Sequence, residues 1–201
     1  MTKKGEIKPR ERASTGPHRS KQSHEAILDA AEAILSEKGP GALTFESVAR
    51  LAKAGKTTLY RWWPTKSALL LEIYERQKTR VIDNIDCGNL RDDLKALTRE
   101  LWAFWRTGNS GVAFAAFIAE AQYSREGQEA LAHYFTRPDT GMSLPCFERA
   151  LARGELSEGV DITHIRRAYV AMNWFHLLCG KLDDKEIDSA IDLLIDGMIR
   201  I

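Results

Sequence analysis

The sequence is poor in cysteine: Cys87, Cys146 and Cys179 are the only three in 201 residues. An odd number at wide spacing argues against a disulfide scaffold and a zinc site, and fits a reducing cytoplasm, the expected location. Long apolar runs are missing too. The longest stretches without Asp, Glu, Lys or Arg are 107–119 and 168–180, 13 residues each. A membrane-crossing helix needs about 20, so no membrane partner is expected. The basic N-terminus leads into no apolar run and does not read as a secretory signal. The chain has no strand-like alternation and no internal repeat. It also has no paired carboxylates, metal-ligand spacing, glycine-rich phosphate loop or nucleophile motif. Neither an enzyme nor a metal nor a cofactor is therefore expected.

What is present is a helical pattern and a divided charge. The composition, 44% apolar and 28% charged, is that of an ordinary globular protein. The formal net charge of +1 conceals an asymmetry: residues 1–80 hold 16 Lys+Arg and 9 Asp+Glu, against 13 and 19 in residues 81–201. A basic front and an acidic back suggest two jobs, the front facing a polyanion. The bland alternative is a solvated imbalance without a partner.

Residues 1–19 carry Lys3, Lys4, Lys8, Arg10, Arg12 and Arg19 with almost no large apolar side chains, the composition of a disordered basic arm. A helix is expected from Ser20 or Ser23. Ile27, Ala30, Ala31, Ile34 and Leu35 mark its buried face, and Gly39 with Pro40 ends it. Thr44 is a natural N-cap for a second helix with Glu46 in its first turn. A short helix starts at Lys56 and stops at Pro64, and Thr65 caps the next, which runs towards Asp83. Further helices are expected near 90–107, 112–123, 126–135, 142–153, 161–180 and 184–200. The predicted fold is all-α: an N-terminal three-helix helix-turn-helix DNA-binding domain and a C-terminal helical effector and dimerisation domain. The expected division is an arm 1–19, a DNA-binding domain 20–66 and a ligand-binding and dimerisation domain 67–201.

The stretch "KTTLYRWWPTKSALL" (56–70) carries the functional reading. On a wheel of about 100° per residue, Leu59 and Trp63 fall together, whereas Thr57, Tyr60 and Arg61 point the other way and Trp62 sits on the flank. So short a helix cannot hold itself up; Leu59 and Trp63 must dock it. The opposite face then offers hydroxyls, a phenol and a guanidinium, able to hydrogen-bond base edges and phosphates. From Ser47 to Leu71 there are five cations (Arg50, Lys53, Lys56, Arg61, Lys66) and no acid. Lys66 lies at a helix N-terminus, unfavourable for the helix but apt for a phosphate. Singly, each residue has a plain reading: Tyr60 as half-buried core, the lysines as solvated charges. Their conjunction carries the case.

The segment "ILDAAEAILSEKGPGALTFESVARLAKAGKTTLYRWWPTKSALLLEI" resembles the N-terminal domain of the TetR family of bacterial transcriptional regulators, over about residues 24–73. The resemblance implies a helical dimer, usually a repressor, that binds double-stranded operator DNA and responds to a small effector. It also carries over a contact set: Thr44 and Lys66 to phosphates, and Lys56, Thr57, Tyr60 and Trp62 from the recognition helix. Arg61 joins them from the wheel. Two positions depart from the family pattern. Lys53 stands where glycine is usual, so a lysine must accept whatever backbone the turn needs, including φ > 0. Gly55 stands where serine is frequent.

The second half is rich in aromatics, which serve first as core and dimer interface. Enough remain for an apolar cavity between helices 90–107, 112–123 and 161–180, with Trp105, Phe117 and Trp174 as wall residues and few charges to demand an ionic effector. Helices 161–180 and 184–200 resemble the family's dimerisation pair. The expected function is a dimeric, sequence-specific DNA-binding regulator, a repressor released by a small, largely apolar molecule. The alternative is a redox-responsive or ligand-independent regulator, although no basic cluster lies near the cysteines to lower a thiol pKa.

Overall fold

The computed structural model describes residues 17–78, 85–136, 142–156 and 159–199. The basic arm proposed at 1–19 lies outside this set, except that Pro17, His18 and Arg19 are already helical. The first described helix, α1 (Pro17–Lys38), thus includes three residues ahead of Ser20.

Among the described residues ten α-helices and one short 3₁₀ turn (Pro40–Ala42) account for the regular structure, and no strand occurs. Helix α1 ends where Gly39 turns to φ 76°, a conformation open to glycine. Thr44 then opens α2 (Phe45–Leu51) with a reciprocal capping box. Its Oγ1 accepts from the Ser47 N–H at 3.1 Å, and its own N–H donates to Ser47 Oγ at 3.0 Å, settling two otherwise orphaned donors. Helix α3 (Lys56–Trp62) follows, then α4 (Lys66–Lys78), where Thr65 Oγ1 accepts from the Ala68 N–H at 3.2 Å. The expected continuation of α4 to Asp83 falls outside the described residues.

The C-terminal domain holds α5 (Leu90–Arg106), α6 (Ser110–Ala121), α7 (Arg125–Thr136), α8 (Leu144–Ala152), α9 (Ile162–Leu178) and α10 (Asp184–Ile199). Asn89 caps α5 by accepting from the Asp92 N–H at 2.9 Å, and Asp161 caps α9 through the Thr163 N–H at 2.8 Å.

Two features organise the molecule. Helix α4 has its inward face (Leu69, Leu70, Ile73, Tyr74) fully buried and runs along α6 as well as α1, so one helix belongs to both cores. Helix α10 lies on α5 through a ladder of charge. Asp184, Asp188, Asp192 and Asp196 recur every fourth residue on one face. They meet Arg106 at 2.7 Å, Arg99 at 2.5 Å, Lys95 and Arg91 at 2.7 and 2.5 Å, and Arg91 again at 2.7 Å. The Arg106 hydrogen bond holds the Asp184 carboxyl below its ordinary range, and the Lys95 and Arg91 hydrogen bonds do the same for Asp192. These pairs are largely exposed, so they specify register more than they stabilise.

Candidate DNA-reading face and interhelical cavity

Helices α2 and α3 form the helix-turn-helix, and the turn explains the unusual lysine. Ala54 N–H returns to the Ala49 carbonyl at 2.9 Å and Lys53 N–H to that of Arg50 at 3.4 Å, the pattern of a helix closed by a left-handed residue. That residue is Lys53, with φ 52°, the sole non-glycine at positive φ among the described residues. Gly55 takes an ordinary extended conformation (φ −75°, ψ 137°) and is the N-cap of α3 without a side-chain bond.

Leu59 and Trp63 are buried, at 0% and 2% exposure, and hold α3 against α1 and α4. Trp63 Nε1 donates to Glu72 Oε2 at 2.6 Å, and His24 Nε2 reaches Glu72 Oε1 at 3.0 Å while its ring stacks on Trp63 at 4.8 Å. This clamp of α1, α3 and α4 was not read from the sequence; its members are far apart in the chain and meet only in the fold.

The outward face carries Lys56, Thr57, Tyr60 and Arg61, all exposed. Tyr60 is 51% exposed. Its ring stands edge-on to Phe45 at 4.7 Å, which sets its direction, and its hydroxyl has no partner among the described residues. Trp62 is half-buried against His24, with the Arg61 guanidinium 5.7 Å from its ring centre. The Thr44 hydroxyl is occupied by the cap just described.

Both lysines of the expected contact set meet acids. Lys56 Nζ lies 2.7 Å from Glu46 Oε1, and that hydrogen bond holds the Glu46 carboxyl below its usual range. Lys66 Nζ lies 3.2 Å from Glu120 Oε2 on α6. The acid-free stretch 47–71 is thus acid-free only along the chain. Glu46 sits one residue before it, and Glu120 arrives from another element.

The cavity lies between α4, α5, α6, α7 and α9. Tyr74, Trp105, Phe114, Tyr134, Phe135 and Trp174 supply aromatic wall. Tyr74 stacks on Phe114 at 4.3 Å, and Trp174 meets Phe135 edge-on at 4.5 Å. The cavity is tight, about 60 Å³. Of the three residues expected on its wall, Trp105 and Trp174 are there. Phe117 is fully buried one layer back, 6.1 Å from both Phe114 and Tyr134; Phe114, one turn earlier on the same helix, faces the space instead.

The polar groups of the wall are mostly spoken for. Trp105 Nε1 donates to Tyr74 Oη at 3.3 Å, and Thr98 Oγ1 and Tyr169 Oη share a hydrogen at 2.9 Å. Tyr134 Oη donates to Glu75 Oε1 at 2.6 Å, and Lys78 pairs with that carboxylate at 2.9 Å. Trp102 Nε1 donates to Asn173 Oδ1 at 2.7 Å, while Asn173 Nδ2 donates to the Tyr169 carbonyl at 2.9 Å. Burial pushes the Tyr74 and Tyr169 phenols well above their usual range, so both stay protonated. One cation, Arg166, also lines the space, which the sequence reading did not anticipate.

Cys146 is buried and its thiol is pushed up to about 11 by that burial. Cys87 is raised too, by desolvation and then by Asp93 and its acidic neighbours. Neither favours the reactive thiolate. His176 is buried, donates its Nδ1–H to the Lys181 carbonyl at 2.9 Å, and packs on Trp102.

An outward recognition helix on a three-helix unit, joined by α4 to a helical domain with its own cavity, defines the class: a helix-turn-helix DNA-binding regulator with a separate C-terminal domain. Residues 27–73 match the model of the bacterial regulatory proteins of the tetR family, and residues 84–194 match the tetracyclin repressor-like C-terminal domain. A DNA-binding transcriptional repressor, TetR, of Mycobacteroides abscessus is 30% identical over 181 residues, 87% of this chain and 93% of that protein. The HTH-type transcriptional regulator YdeS of Bacillus subtilis is 30% identical over 147 residues, 73% of this chain and 74% of that one. In three dimensions the TetR family regulator SCO0332 superposes with a TM-score of 0.67 at 24% identity, over 88% of this chain and 98% of that one. The chain belongs to the TetR family of DNA-binding transcriptional regulators.

Proposed function

We propose that the protein is a homodimeric repressor whose hold on operator DNA is released by a small, largely apolar molecule bound in the interhelical cavity. The observation that carries this reading is α4. Its first residue, Lys66, stands beside the recognition helix, and its Tyr74 is a wall of the cavity. A ligand that displaces Tyr74 acts on the same rigid element that carries Lys66.

The proposed contact set is Lys56, Thr57, Tyr60 and Arg61 on the outward face, Trp62 at its flank, and Thr44 and Lys66, the phosphate contacts, at helix starts. Lys56 and Lys66 reach DNA by leaving Glu46 and Glu120. The proposed dimer forms through α9 and α10, supported by the large apolar side chains left exposed there: Phe175, Leu178 and Leu193. A twofold pair doubles the few bases that one short helix reads. The proposed division places DNA binding in residues 20–66 and ligand binding with dimerisation in 67–201.

Genome-wide capture of bound DNA, followed by fluorescence anisotropy on the recovered fragments, tests the reading. A near-palindromic site bound by a dimer supports it. A monomer binding one half-site with full affinity, or DNA binding of equal strength to any sequence, refutes it.

A further inference from the structure

We infer that the effector is an amphipathic monoanion, a carboxylic acid with an aromatic or branched apolar body, whose carboxylate is held by Arg166 and Ser143. The inference rests on the reading of this cavity as the effector site and names the chemistry of its occupant.

Arg166 is half-buried at the cavity wall. Its Nη2–H donates to the Phe135 carbonyl at 2.9 Å, and no acid pairs with it among the described residues. That sets it apart. The other described half-buried arginines all have carboxylates: Arg76 has Asp29 at 2.5 Å, Arg91 has Asp192 at 2.5 Å, and Arg149 has Asp93 at 3.3 Å. A guanidinium is always charged and offers five N–H donors. One carbonyl takes one of them. In half-buried surroundings the rest call for a charged acceptor.

The neighbours say what else the ligand must be. Arg166, Val170 and Trp174 recur every fourth residue and form one stripe of α9 along the wall, so a cationic end passes directly into an apolar and aromatic body. The Tyr134 and Tyr169 hydroxyls and the Asn173 amide already hold partners within the protein, as described above, and Tyr74 Oη accepts from Trp105 while its own O–H keeps a hydrogen to donate. Ser143 is different: it is buried, lines the cavity, and its hydroxyl has no hydrogen-bond partner among the described residues. The donors open to a ligand therefore include the Ser143 and Tyr74 hydroxyls and one cationic group, the Arg166 guanidinium. A single positive charge matches a monoanion. A phosphate monoester would bring a second negative charge with no cation to meet it, at a large desolvation cost. The Glu75 carboxylate behind Tyr134 does not oppose this, because Lys78 and the Tyr134 hydroxyl already engage it.

A purely structural reading of Arg166 is that it closes the end of α7 by taking a last-turn carbonyl. The two readings separate by experiment. Full-length protein is titrated with 4-phenylbutyrate, octanoate, their amides, and 3-phenylpropyl phosphate, following the tryptophan fluorescence, to which Trp105 and Trp174 of the wall contribute, and the heat of binding. The acids are expected to bind about tenfold or more tighter than their amides and tighter than the phosphate. In Arg166→Gln the acids should fall to the level of the amides, whose own affinity stays unchanged. Ser143→Ala should weaken the acids by a smaller factor, about two- to fivefold. Equal binding of acid and amide to the wild type overturns the inference and leaves the cavity reading intact, with no variant needed. A preference that survives Arg166→Gln, with or without a drop in melting temperature, assigns Arg166 to α7 alone and overturns it too. Tightest binding of the phosphate overturns the monoanion. Binding of no probe at all removes the cavity reading itself and the inference with it.

Discussion

Glu120→Gln is expected to tighten operator binding, although Glu120 lies on α6, in the C-terminal domain. In the structure Lys66 Nζ sits 3.2 Å from Glu120 Oε2, with side chains 28% and 31% exposed. A pair of that exposure contributes about 0.5–1 kcal/mol. A DNA phosphate that recruits Lys66 must first break it, so this amount opposes binding once per protomer. Neutralising Glu120 removes the opposition. The gain is roughly two- to fivefold for each half-site, and about five- to thirtyfold for a dimer engaging both.

The assay is fluorescence anisotropy of a labelled operator at fixed ionic strength, with wild type, Lys66→Ala, Glu120→Gln and the double variant. Lys66→Ala should weaken all sequences alike and lower the salt slope by about one unit per half-site, about two for the dimer. Glu120→Gln should tighten binding in the wild-type background and change nothing once Lys66 is alanine. The double variant matters because removing any negative charge near DNA raises affinity slightly through the long-range field, which salt screens within about 8–10 Å. If Glu120→Gln tightens binding equally with and without Lys66, the field explains it and the ion-pair argument fails. If it does not tighten binding at all, Lys66 does not reach a phosphate.

Four further outcomes are expected. Tyr60→Ala should weaken operator binding by about 1–3 kcal/mol without altering the circular dichroism spectrum or the dimer; an unchanged affinity removes Tyr60 from the contact set. Lys53→Gly should raise stability by up to about 1 kcal/mol, since a left-handed lysine costs about 1–2 kcal/mol and glycine returns about half of that as backbone entropy. The melting temperature should then rise by about 2–4 °C, and a fall would show that the lysine side chain stabilises the turn. Leu193→Glu, at a position 78% exposed in the single chain, should give a folded monomer by light scattering and lose operator binding; a persisting dimer would move the interface elsewhere. Operator DNA should weaken an effector by the same factor by which that effector weakens DNA, and calorimetry with and without operator checks this: equal affinities rule out release through the cavity.

The helix boundaries were legible where the chain carries its own stop and start chemistry. Gly39, Thr44, Pro64 and Thr65 each act through a local bond or a missing one, so sequence spacing suffices. The inward set Leu59 and Trp63 and the outward Tyr60 followed from helical geometry alone. The helical state of residues 17–19 was missed because Pro17, beside Gly16, reads as a breaker in isolation. The acid ladder of α10, one aspartate every fourth residue from 184 to 196, was visible in the sequence and its partners on α5 were not. The partners of Lys56 and Lys66 fall in the same class, because an ion pair between elements depends on which faces the fold brings together. Choosing Phe114 over Phe117 for the cavity was beyond periodicity: α6 is apolar nearly all round, so no stripe marks the side that meets the empty space. Arg166 was passed over because a charge on a helix is usually solvated, and only the buried setting gives it meaning.

The tightness of the cavity has a consequence for the proposed release of DNA. At about 60 Å³ it admits little without parting its walls, and packed walls move as units rather than yield atom by atom. Tyr74 is one such wall. It is fully buried, stacked on Phe114 and bonded to Trp105, so a ligand entering beside it pushes on α4 as a body. Lys66 stands at the start of that helix, about two turns away, bridged to Glu120 on α6. Helix α6 carries Phe114 as well. A ligand that separates Tyr74 from Phe114 therefore changes the set of α4 on α6, the pairing of Lys66 and the placement of α3 together. The energy required is modest. A tenfold loss of DNA affinity needs about 1.4 kcal/mol of differential ligand binding between the two arrangements, and a 150-fold loss about 3. One aromatic contact and one charge-assisted hydrogen bond, gained in the released arrangement and absent from the DNA-bound one, are of that size.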